Sequence, residues 1–169
     1  MNRIGLGFDL HRLVKDRALI LGGVTIDYPF GLEGFSDADV LLHALADALL
    51  GAAAMGDIGQ HFPSGDERFR DISSLLLLGT VKELLSAGGW KVVNTDAVII
   101  AEEPQLAPYI DRMRDNIAAV LQLKRCRVAV KATTTEGIGV CGRGEGIAAQ
   151  AIVLLEQEES PCPKGHEAE

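Results

Sequence analysis

Residues 3–11 read RIGLGFDLH, and the alternation of apolar residues with glycine or polar residues in this stretch decides the class of fold. A period of two predicts a β-strand with one apolar face and a second face that carries Asp9 and His11. A carboxylate and an imidazole on one strand face lie about 6 to 7 Å apart and can share a metal ion with a third ligand. The alternative for this pair is a solvated strand end.

A candidate third ligand lies in the next long pattern, a stretch rich in leucine and alanine at residues 37–54. Asp39, His43 and Asp47 recur every four residues there, so they share one face of a predicted helix. Such a polar stripe is ordinarily the solvent face. A stripe that holds only carboxylates and one imidazole also suits a metal site with supporting hydrogen bonds, so we group His43 with the strand pair.

Strand and helix patterns alternate along the rest of the chain without an internal repeat. We predict a strand or hairpin at 18–26, a loop at 28–34, a helix at 37–54 capped by Ser36 or Asp37, a surface loop at 60–71, a helix at 72–87, a strand at 90–100, a helix at 108–121 and a strand at 128–133. Residues 146–155 are ambiguous between helix and strand.

This alternation predicts an α/β fold of the α+β type, in which helices cover one face of a mixed β-sheet. At 169 residues the chain fits a single domain, which we place at residues 1–158. Residues 159–169 are charged and contain prolines, so we predict a disordered tail there.

The net charge and the cysteines limit which kinds of molecule this protein is expected to bind and where it is expected to work. A net charge of -8 without a basic stripe argues against nucleic acid, and it implies that a bound diphosphate would need metal cations. Cys126, Cys141 and Cys162 lack the spacing of a disulfide framework or a thiolate metal site, which indicates reduced thiols in a cytoplasmic protein. The sequence shows no signal peptide and no apolar run of the roughly 20 residues that a membrane span needs.

A second polar group follows the strand predicted at 128–133. Lys131, Thr133, Thr134, Thr135 and Glu136 run there into a glycine-rich turn. Hydroxyls and free backbone amides at a strand end can hold phosphate oxygens, and an adjacent carboxylate can hold magnesium. A plain glycine turn at the edge of a sheet explains the pattern equally well.

Two further turns are polar. Residues 142–146 read GRGEG, which lacks the third glycine of a dinucleotide-binding fingerprint and fits a tight turn or an intersubunit salt bridge as well as a ligand site. Residues 57–59, DIG, are a polar turn or a plain helix stop. The remaining histidines, His61 and His166, suggest no nucleophilic pair, so metals acting on a nucleophile borne by the substrate fit better.

These blocks, in this order, resemble the 2-C-methyl-D-erythritol 2,4-cyclodiphosphate synthase family from Arg3 to about Leu155. The matching motifs are GFDLH at 7–11, SDADV with LHA at 36–44, DALLGA at 47–52, GDIG at 56–59, VKATTTE at 130–136 and GRGEG at 142–146. The resemblance implies a homotrimer with active sites between neighbouring subunits, each holding zinc and magnesium or manganese.

The resemblance also implies a reaction. The family's substrate is 4-diphosphocytidyl-2-C-methyl-D-erythritol 2-phosphate, a cytidine diphosphate derivative, and its products are the cyclic diphosphate and CMP. The substrate's own 2-phosphate attacks the β-phosphorus, which makes the enzyme a phosphorus–oxygen lyase of the non-mevalonate isoprenoid pathway. The protein then has to fold the substrate and neutralise the charge on both phosphates.

Carried over by position, Asp9, His11 and His43 would bind zinc or another divalent transition metal. Glu136 would bind a Mg2+ or Mn2+ ion that bridges the substrate phosphates, and Thr134 completes the implied catalytic set. The implied substrate contacts are Ser36, Asp37, Asp57, Ile58, Gly59, Phe62, Ser64, Asp66, Ala101, Pro104, Gln105, Leu106, Ala107, Lys131, Thr133, Thr134, Thr135, Val140 and Arg143.

The chain departs from the family pattern near the site. Phe35 stands where the family usually has a phosphate-binding histidine, Ser64 replaces an aspartate, Gln105 a lysine and Val140 an aromatic residue. We expect Phe35 to share an apolar repacking with Leu6. Two alternatives stay open: a homologue that binds metal and an isoprenoid or nucleotide phosphate without turnover, and a metal-dependent phosphohydrolase.

Overall fold

The computed structural model describes residues 1–157. The strands in this range are β1 (Asn2–Lys15), β2 (Leu19–Leu21), β3 (Val24–Ile26), β4 (Phe30–Leu32), β5 (Trp90–Ile100), β6 (Val128–Thr133) and β7 (Gly146–Gln157). The helices are α1 (Val40–Ala53), α2 (Ile58–His61), α3 (Ser74–Ala87), α4 (Ile110–Leu121) and α5 (Gly139–Gly142), with 3-10 turns at Glu67–Phe69, Ala107–Tyr109 and Arg125–Arg127.

Five strands form one mixed sheet in the order β4-β1-β7-β5-β6, and β2 pairs with β3 in a separate hairpin. Strand β7 is antiparallel to both of its neighbours, whereas β5 and β6 are parallel. Helix α1 packs on β1 and β7, α3 packs on α1, and α4 packs on α3 and β6. The mixed sheet with helices, expected from the alternation of patterns, is confirmed.

Helix α1 lies unusually close to β1 because two residues of the strand have no side chain. A Cβ atom on Gly5 would stand 1.9 Å from the carbonyl oxygen of Ala48, and one on Gly7 would stand 2.0 Å from that of Ala44. Both distances are far below van der Waals contact, so any larger residue would push the helix away. The two glycines therefore set the height of His43, the neighbour of Ala44, above the strand.

The opposite face of the sheet is uncovered along β1. Ile4, Leu6, Phe8, Leu10 and Ile152, on β1 and β7, are between 42% and 74% exposed. The apolar side of the opening strand thus faces away from the helices, while its glycines and its Asp-x-His pair face towards them. A contiguous apolar patch of this kind indicates an interaction surface.

Helix α1 begins three residues later than the pattern predicted, at Val40. Its N-cap is Asp39, whose Oδ1 accepts a hydrogen bond from the backbone N–H of Leu42 at 3.1 Å. Asp37 cannot serve as this cap because its carboxylate instead accepts bonds from the N–H and the hydroxyl of Ser74. Competition from a distant helix, rather than local propensity, selected the cap.

Other boundaries also shifted. The predicted loop at 28–34 contains the short strand β4, which pairs with β1, and the predicted loop at 60–71 contains part of α2 and a 3-10 turn. The ambiguous segment at 146–155 is a strand because it forms β7, which is hydrogen-bonded on both sides in the middle of the sheet. The predicted tail at 159–169 lies outside the described residues.

Within residues 1–157, no helix combines the length and the apolar character that crossing a bilayer requires.

Candidate active site

Asp9, His11 and His43 converge at the edge of α1 and β1. Nε2 of His11 and Nδ1 of His43 each lie 2.9 Å from Oδ2 of Asp9, and the two nitrogens are 3.3 Å apart. In the part of the chain that the structure describes, this is the group of three or more potential ligands whose atoms lie within 4.8 Å of one another. The structure thus brings together the three residues that the sequence grouped.

The orientation of the His11 ring is fixed by the backbone. Its Nδ1 lies 2.5 Å from the carbonyl oxygen of Glu33, which can only accept a hydrogen bond, so Nδ1 carries the proton. Nε2 of the neutral ring therefore presents a lone pair to the carboxylate of Asp9. Acceptor atoms that face each other at this distance repel unless a proton or a cation lies between them.

The contacts within the cluster also shift the pKa values of Asp9 and His11, each towards its charged form. Burial raises the pKa of Asp9, but hydrogen bonds and charge from His11 and His43 outweigh it, and the pKa lies far below its ordinary value. Burial lowers the pKa of His11, but the bond to Asp9, the charge of that carboxylate and the Glu33 carbonyl raise the net pKa. One carboxylate and two imidazoles turned inwards are a donor set that zinc and other divalent transition metals accept.

The cluster opens into a cavity of about 340 Å³. Six of the implied substrate contacts line it: Ser36, Asp57, Ile58, Gly59, Phe62 and Ser64. Its other lining residues, besides Phe35 and the three cluster residues, are ones that the sequence did not assign to the substrate: Phe8, Asp47, Phe69 and Leu77.

The polar turn at 57–59 is fastened to α1. Oδ1 of Asp47 accepts from the backbone N–H of Ile58 at 3.1 Å, and this explains why the helical stripe continues beyond His43. Asp57 caps α2 by accepting from the backbone N–H and the side-chain amide of Gln60. These bonds lower the pKa of Asp57 and keep its carboxylate ionised at the cavity wall.

Asp37 and Asp66 are among the implied contacts that lie outside the lining of this cavity. Both carboxylate oxygens of Asp37 accept hydrogen bonds from Ser74, one from its hydroxyl and one from its N–H. Asp66 caps a 3-10 turn and forms an ion pair with Arg68 at 2.6 Å. In this chain both side chains hold loops together.

The loops after β5 and β6 form a second polar region. The backbone N–H of Ala101 donates to the carbonyl of Thr133 at 3.0 Å, and Oε1 of Glu102 accepts from the N–H groups of Thr135 and Gly137 at 2.8 and 3.3 Å. These amides lower the pKa of Glu102, Thr135 foremost. The carboxyl ends of two parallel strands meet here, which places the implied cytidine contacts at 101–107 beside the threonines.

Side chains in this region differ in what they offer a ligand. The hydroxyl of Thr134 donates to Oε1 of Glu136 at 3.0 Å, and both residues are exposed. Ala101 and Leu106 are almost fully buried, so at these two positions a ligand can contact only the backbone. Glu102 was not singled out from the sequence, where its signal was a carboxylate two residues after the predicted strand at 90–100.

The basic residues of the implied site are paired within the chain. Lys131 forms an ion pair with Asp96 across neighbouring strands. Arg143 pairs with Glu145 at 2.6 Å inside the GRGEG turn, so of the three sequence interpretations of that turn this chain shows a tight turn with an internal ion pair.

The two polar regions are separate in a single chain. The strand register aligns Asp9 with Ala149, Ile99 and Ala132, which places the metal cluster and the end of β6 three strand spacings apart, about 14 Å. The residues from Lys131 to Glu136 do not line the 340 Å³ cavity. In one chain the cluster and the region at the ends of β5 and β6 are therefore two separate polar regions.

Phe35 lines the cavity and is half-buried, with the Arg70 guanidinium 4.8 Å from the centre of its ring. Leu6 is 59% exposed on the uncovered face of the sheet and does not line the cavity. The expected apolar repacking of Phe35 with Leu6 is therefore wrong, because Leu6 is exposed outside the cavity whereas Phe35 lies beside Arg70.

The chain is similar to known proteins along nearly its whole length. The YgbB family matches residues 2–156. The 2-C-methyl-D-erythritol 2,4-cyclodiphosphate synthase of Moorella thermoacetica is 61% identical over 158 residues, which cover 94% of this chain and 97% of that protein.

Two solved structures share the fold. The bifunctional IspDF from Campylobacter jejuni superposes with a TM-score of 0.90 at 40% identity, over 94% of this chain and 43% of that longer one. A 2C-methyl-D-erythritol-2,4-cyclodiphosphate synthase in a CDP-bound form superposes with a TM-score of 0.84 at 36% identity, over 91% of this chain and 100% of the other.

Proposed function

We propose a mechanism from the premise that this chain belongs to the YgbB family and is, like its relatives, a 2-C-methyl-D-erythritol 2,4-cyclodiphosphate synthase. In the reaction a 2-phosphate oxygen of 4-diphosphocytidyl-2-C-methyl-D-erythritol 2-phosphate attacks the β-phosphorus. The bond from that phosphorus to the oxygen bridging the two phosphates breaks, and CMP leaves with the electron pair. The enzyme is thus a phosphorus–oxygen lyase.

The observation that carries the proposed site is the inward arrangement of acceptor atoms on Asp9, His11 and His43 beside the cavity. We assign these residues to zinc or another divalent transition metal. Bound there, such an ion would supply positive charge beside a substrate phosphate. The net charge of -8 makes such a cation necessary for an anionic substrate.

The cavity wall beside the cluster would orient the erythritol part of the substrate. The ionised carboxylate of Asp57 can accept hydrogen bonds from erythritol hydroxyls, and Gly59 lets the backbone approach closely. The hydroxyl of Ser36, at the mouth of the cluster, can donate to a phosphate oxygen. Holding the attacking phosphate near the β-phosphorus in line with the leaving oxygen is the main task of these groups.

The polar region at the ends of β5 and β6 would hold the cytidine diphosphate part. We call this region and the cavity beside the metal cluster the two half-sites. Backbone groups at 101–107, including those of Pro104, Gln105 and Ala107, would contact the cytosine, and the Thr133 and Thr134 hydroxyls would contact phosphate. Glu136 would hold a magnesium or manganese ion, which would supply positive charge to the substrate phosphates. The CDP-bound form of a structural relative supports a cytidine diphosphate ligand.

A homotrimer would join the half-sites. The uncovered apolar face of the sheet supplies an interface, and a cyclic arrangement would bring the Thr133–Glu136 loop of one subunit to the metal cluster of the next. Val140 and Arg143, at the same end of the sheet as that loop, would lie near the junction. We place the assembly in the cytoplasm, where Cys126 and Cys141, which are free thiols here, stay reduced.

Phosphorus NMR of the products formed from the cytidyl substrate tests this activity. We expect the two coupled signals of a cyclic diphosphate together with CMP, and we expect neither from His43→Ala. Free inorganic phosphate or an uncyclised product would indicate a phosphohydrolase. Substrate that binds without change would indicate a homologue that has lost turnover, and either result would contradict the proposal.

A further inference from the structure

The outer nitrogen of His43 contacts a side chain to which the resemblance assigns no role. Nε2 of His43 lies 3.0 Å from the hydroxyl oxygen of Ser74, the first residue of α3, which is 1% exposed. The same hydroxyl lies 2.5 Å from Oδ1 of Asp37. A partly buried chain of polar groups therefore runs from the candidate metal ligand through Ser74 to a carboxylate.

Counting protons fixes the direction of these bonds. A serine hydroxyl has one proton, and a carboxylate can only accept, so Ser74 donates to Asp37. Both oxygens of Asp37 already accept, since Oδ2 takes the backbone N–H of Ser74 at 2.9 Å and Oδ1 also takes that of Asp39 at 3.3 Å. The hydroxyl oxygen of Ser74 is left as an acceptor towards His43, and Nε2 must be the donor.

A neutral imidazole carries one proton, so a proton on Nε2 leaves the lone pair on Nδ1, the atom that faces Asp9 at 2.9 Å. The hydroxyl of Ser36, 3.2 Å from the same Nε2, accepts the backbone N–H of Ala38 and can share the Nε2 proton as a second acceptor. The contacts of His43 are thus consistent with one tautomer, the one that can bind a metal through Nδ1.

We propose that Ser74 and Asp37 are positioning residues that hold His43 in its metal-binding tautomer and ring orientation. This inference rests on the proposed metal site and extends it. Partners that accept the second N–H of a metal-bound histidine typically change metal affinity by about 10- to 100-fold when they are removed. His11 differs from His43 here, because its own outer nitrogen is held by a backbone carbonyl that no substitution removes.

The adjacent serine provides a matched control. Ser73 is the N-cap of α3 and accepts from the backbone N–H of Leu75 at 3.3 Å, and its side chain does not contact His43. Ser73→Ala and Ser74→Ala therefore both remove one hydroxyl at the start of the same helix. A loss of metal affinity specific to Ser74→Ala separates positioning of His43 from general weakening of α3.

The test uses untagged full-length protein and two measurements. Zinc affinity, by competition with a chromogenic chelator, should fall about 10- to 100-fold in Ser74→Ala and stay within about twofold of wild type in Ser73→Ala. Histidine 15N NMR of the metal-free protein, at a pH well above the ordinary histidine pKa, should show His43 protonated at Nε2 in wild type and Ser73→Ala. Ser74→Ala should show a mixture of both tautomers.

A second variant keeps the test decisive if Ser74→Ala does not fold. Asp37→Asn keeps one acceptor oxygen for the serine hydroxyl but turns a donor towards the N–H of Ser74, and we expect an intermediate loss of affinity. A wild-type His43 that carries no proton on Nε2, or unchanged zinc affinity in both variants, would overturn the proposal. A wild type with the Nε2 tautomer that binds no zinc would instead refute the proposed metal site and leave the Ser74 and Asp37 arrangement standing.

Discussion

Nδ1 of His43 lies 2.9 Å from Oδ2 of Asp9, although 34 positions separate the two residues in the chain. The contact depends on how closely α1 lies on β1, and that distance is set by the missing side chains of Gly5 and Gly7. The grouping of Asp9, His11 and His43 therefore depends on backbone packing between two distant segments. Five predictions follow from this site and its surroundings.

His43→Ala should reduce bound zinc sharply in elemental analysis of pure protein, because it removes one of three ligands. His61→Ala is the matched control, since His61 contacts the carbonyl of Met55 at 2.8 Å and lies outside the cluster. Full zinc occupancy in His43→Ala would refute the assignment of the ligands.

Leu6→Asp should convert the protein to monomers in light scattering, because a charge would be placed in the uncovered apolar face of the sheet. If the site is shared between subunits, activity should fall by at least about 100-fold. Leu76, on α3, is similarly exposed at 63%, and Leu76→Asp should leave both assembly and activity unchanged. A Leu6→Asp monomer that still turned over would contradict the shared site.

Phe35→His should raise kcat, because Phe35 lines the cavity and an imidazole there could donate to a substrate phosphate. One charge-assisted hydrogen bond is worth about 1.5 to 3 kcal/mol, or about 10- to 100-fold in rate. The ring is half-buried beside Arg70, so we expect little change in Tm. Phe30→His, outside the cavity, serves as control, and a flat rate with a lowered Tm in Phe35→His would show that packing dominates.

Glu136→Gln should raise the magnesium concentration needed for half-maximal activity at least about tenfold, because a charged ligand becomes neutral. Bound zinc should stay unchanged, since Glu136 lies outside the metal cluster of its own chain. Glu83→Gln, on the exposed side of α3, is the matched control. An unaltered magnesium dependence in Glu136→Gln would remove Glu136 from the metal assignment.

Asp39→Ala should change how stability depends on pH. Burial raises the pKa of Asp39 from 3.8 to about 6, although the N–H groups of Gly23 and Leu42 lower it. The folded state then binds a proton that the unfolded state lacks between about pH 4 and pH 6, so this group's contribution falls as pH rises through that window.

The shift corresponds to about 3 kcal/mol. The advantage of wild type over Asp39→Ala in free energy of unfolding should therefore be larger near pH 4 than near pH 7, by up to that amount. Urea unfolding at fixed protein concentration measures it. A difference that does not vary with pH would show that Asp39 has an ordinary pKa in the folded protein.

Elements with a long, unbroken period were predictable from sequence. The bounds of β5 and β6 match the predicted strands. The grouping of Asp9, His11 and His43 was predicted from a spacing of two residues on the strand and of four residues on the helix. Small buried alanines made β7 ambiguous, because alanine favours helices and only the position between two strands makes this segment extended.

Contacts between residues far apart in the chain determined the features that the sequence did not predict. Ser36, Asp37 and Asp39 are all good caps, and Ser74 together with the N–H of Gly23 determined which one starts the helix. The contact of His11 with the Glu33 carbonyl has no sequence signal, since every residue has a carbonyl. The separation of the two half-sites depends on strand order, which no local pattern encodes.

Strand β1 turns its odd-numbered residues, the glycines with Asp9 and His11, towards the helices and its even-numbered apolar residues outwards. A slip of one position against β7 would exchange these two sets. It would drive large side chains into the space under α1 and leave carboxylate and imidazole groups on the outer face. A misaligned chain would thus lose the packing of α1 on β1 and the grouping of Asp9 and His11 with His43 in a single step.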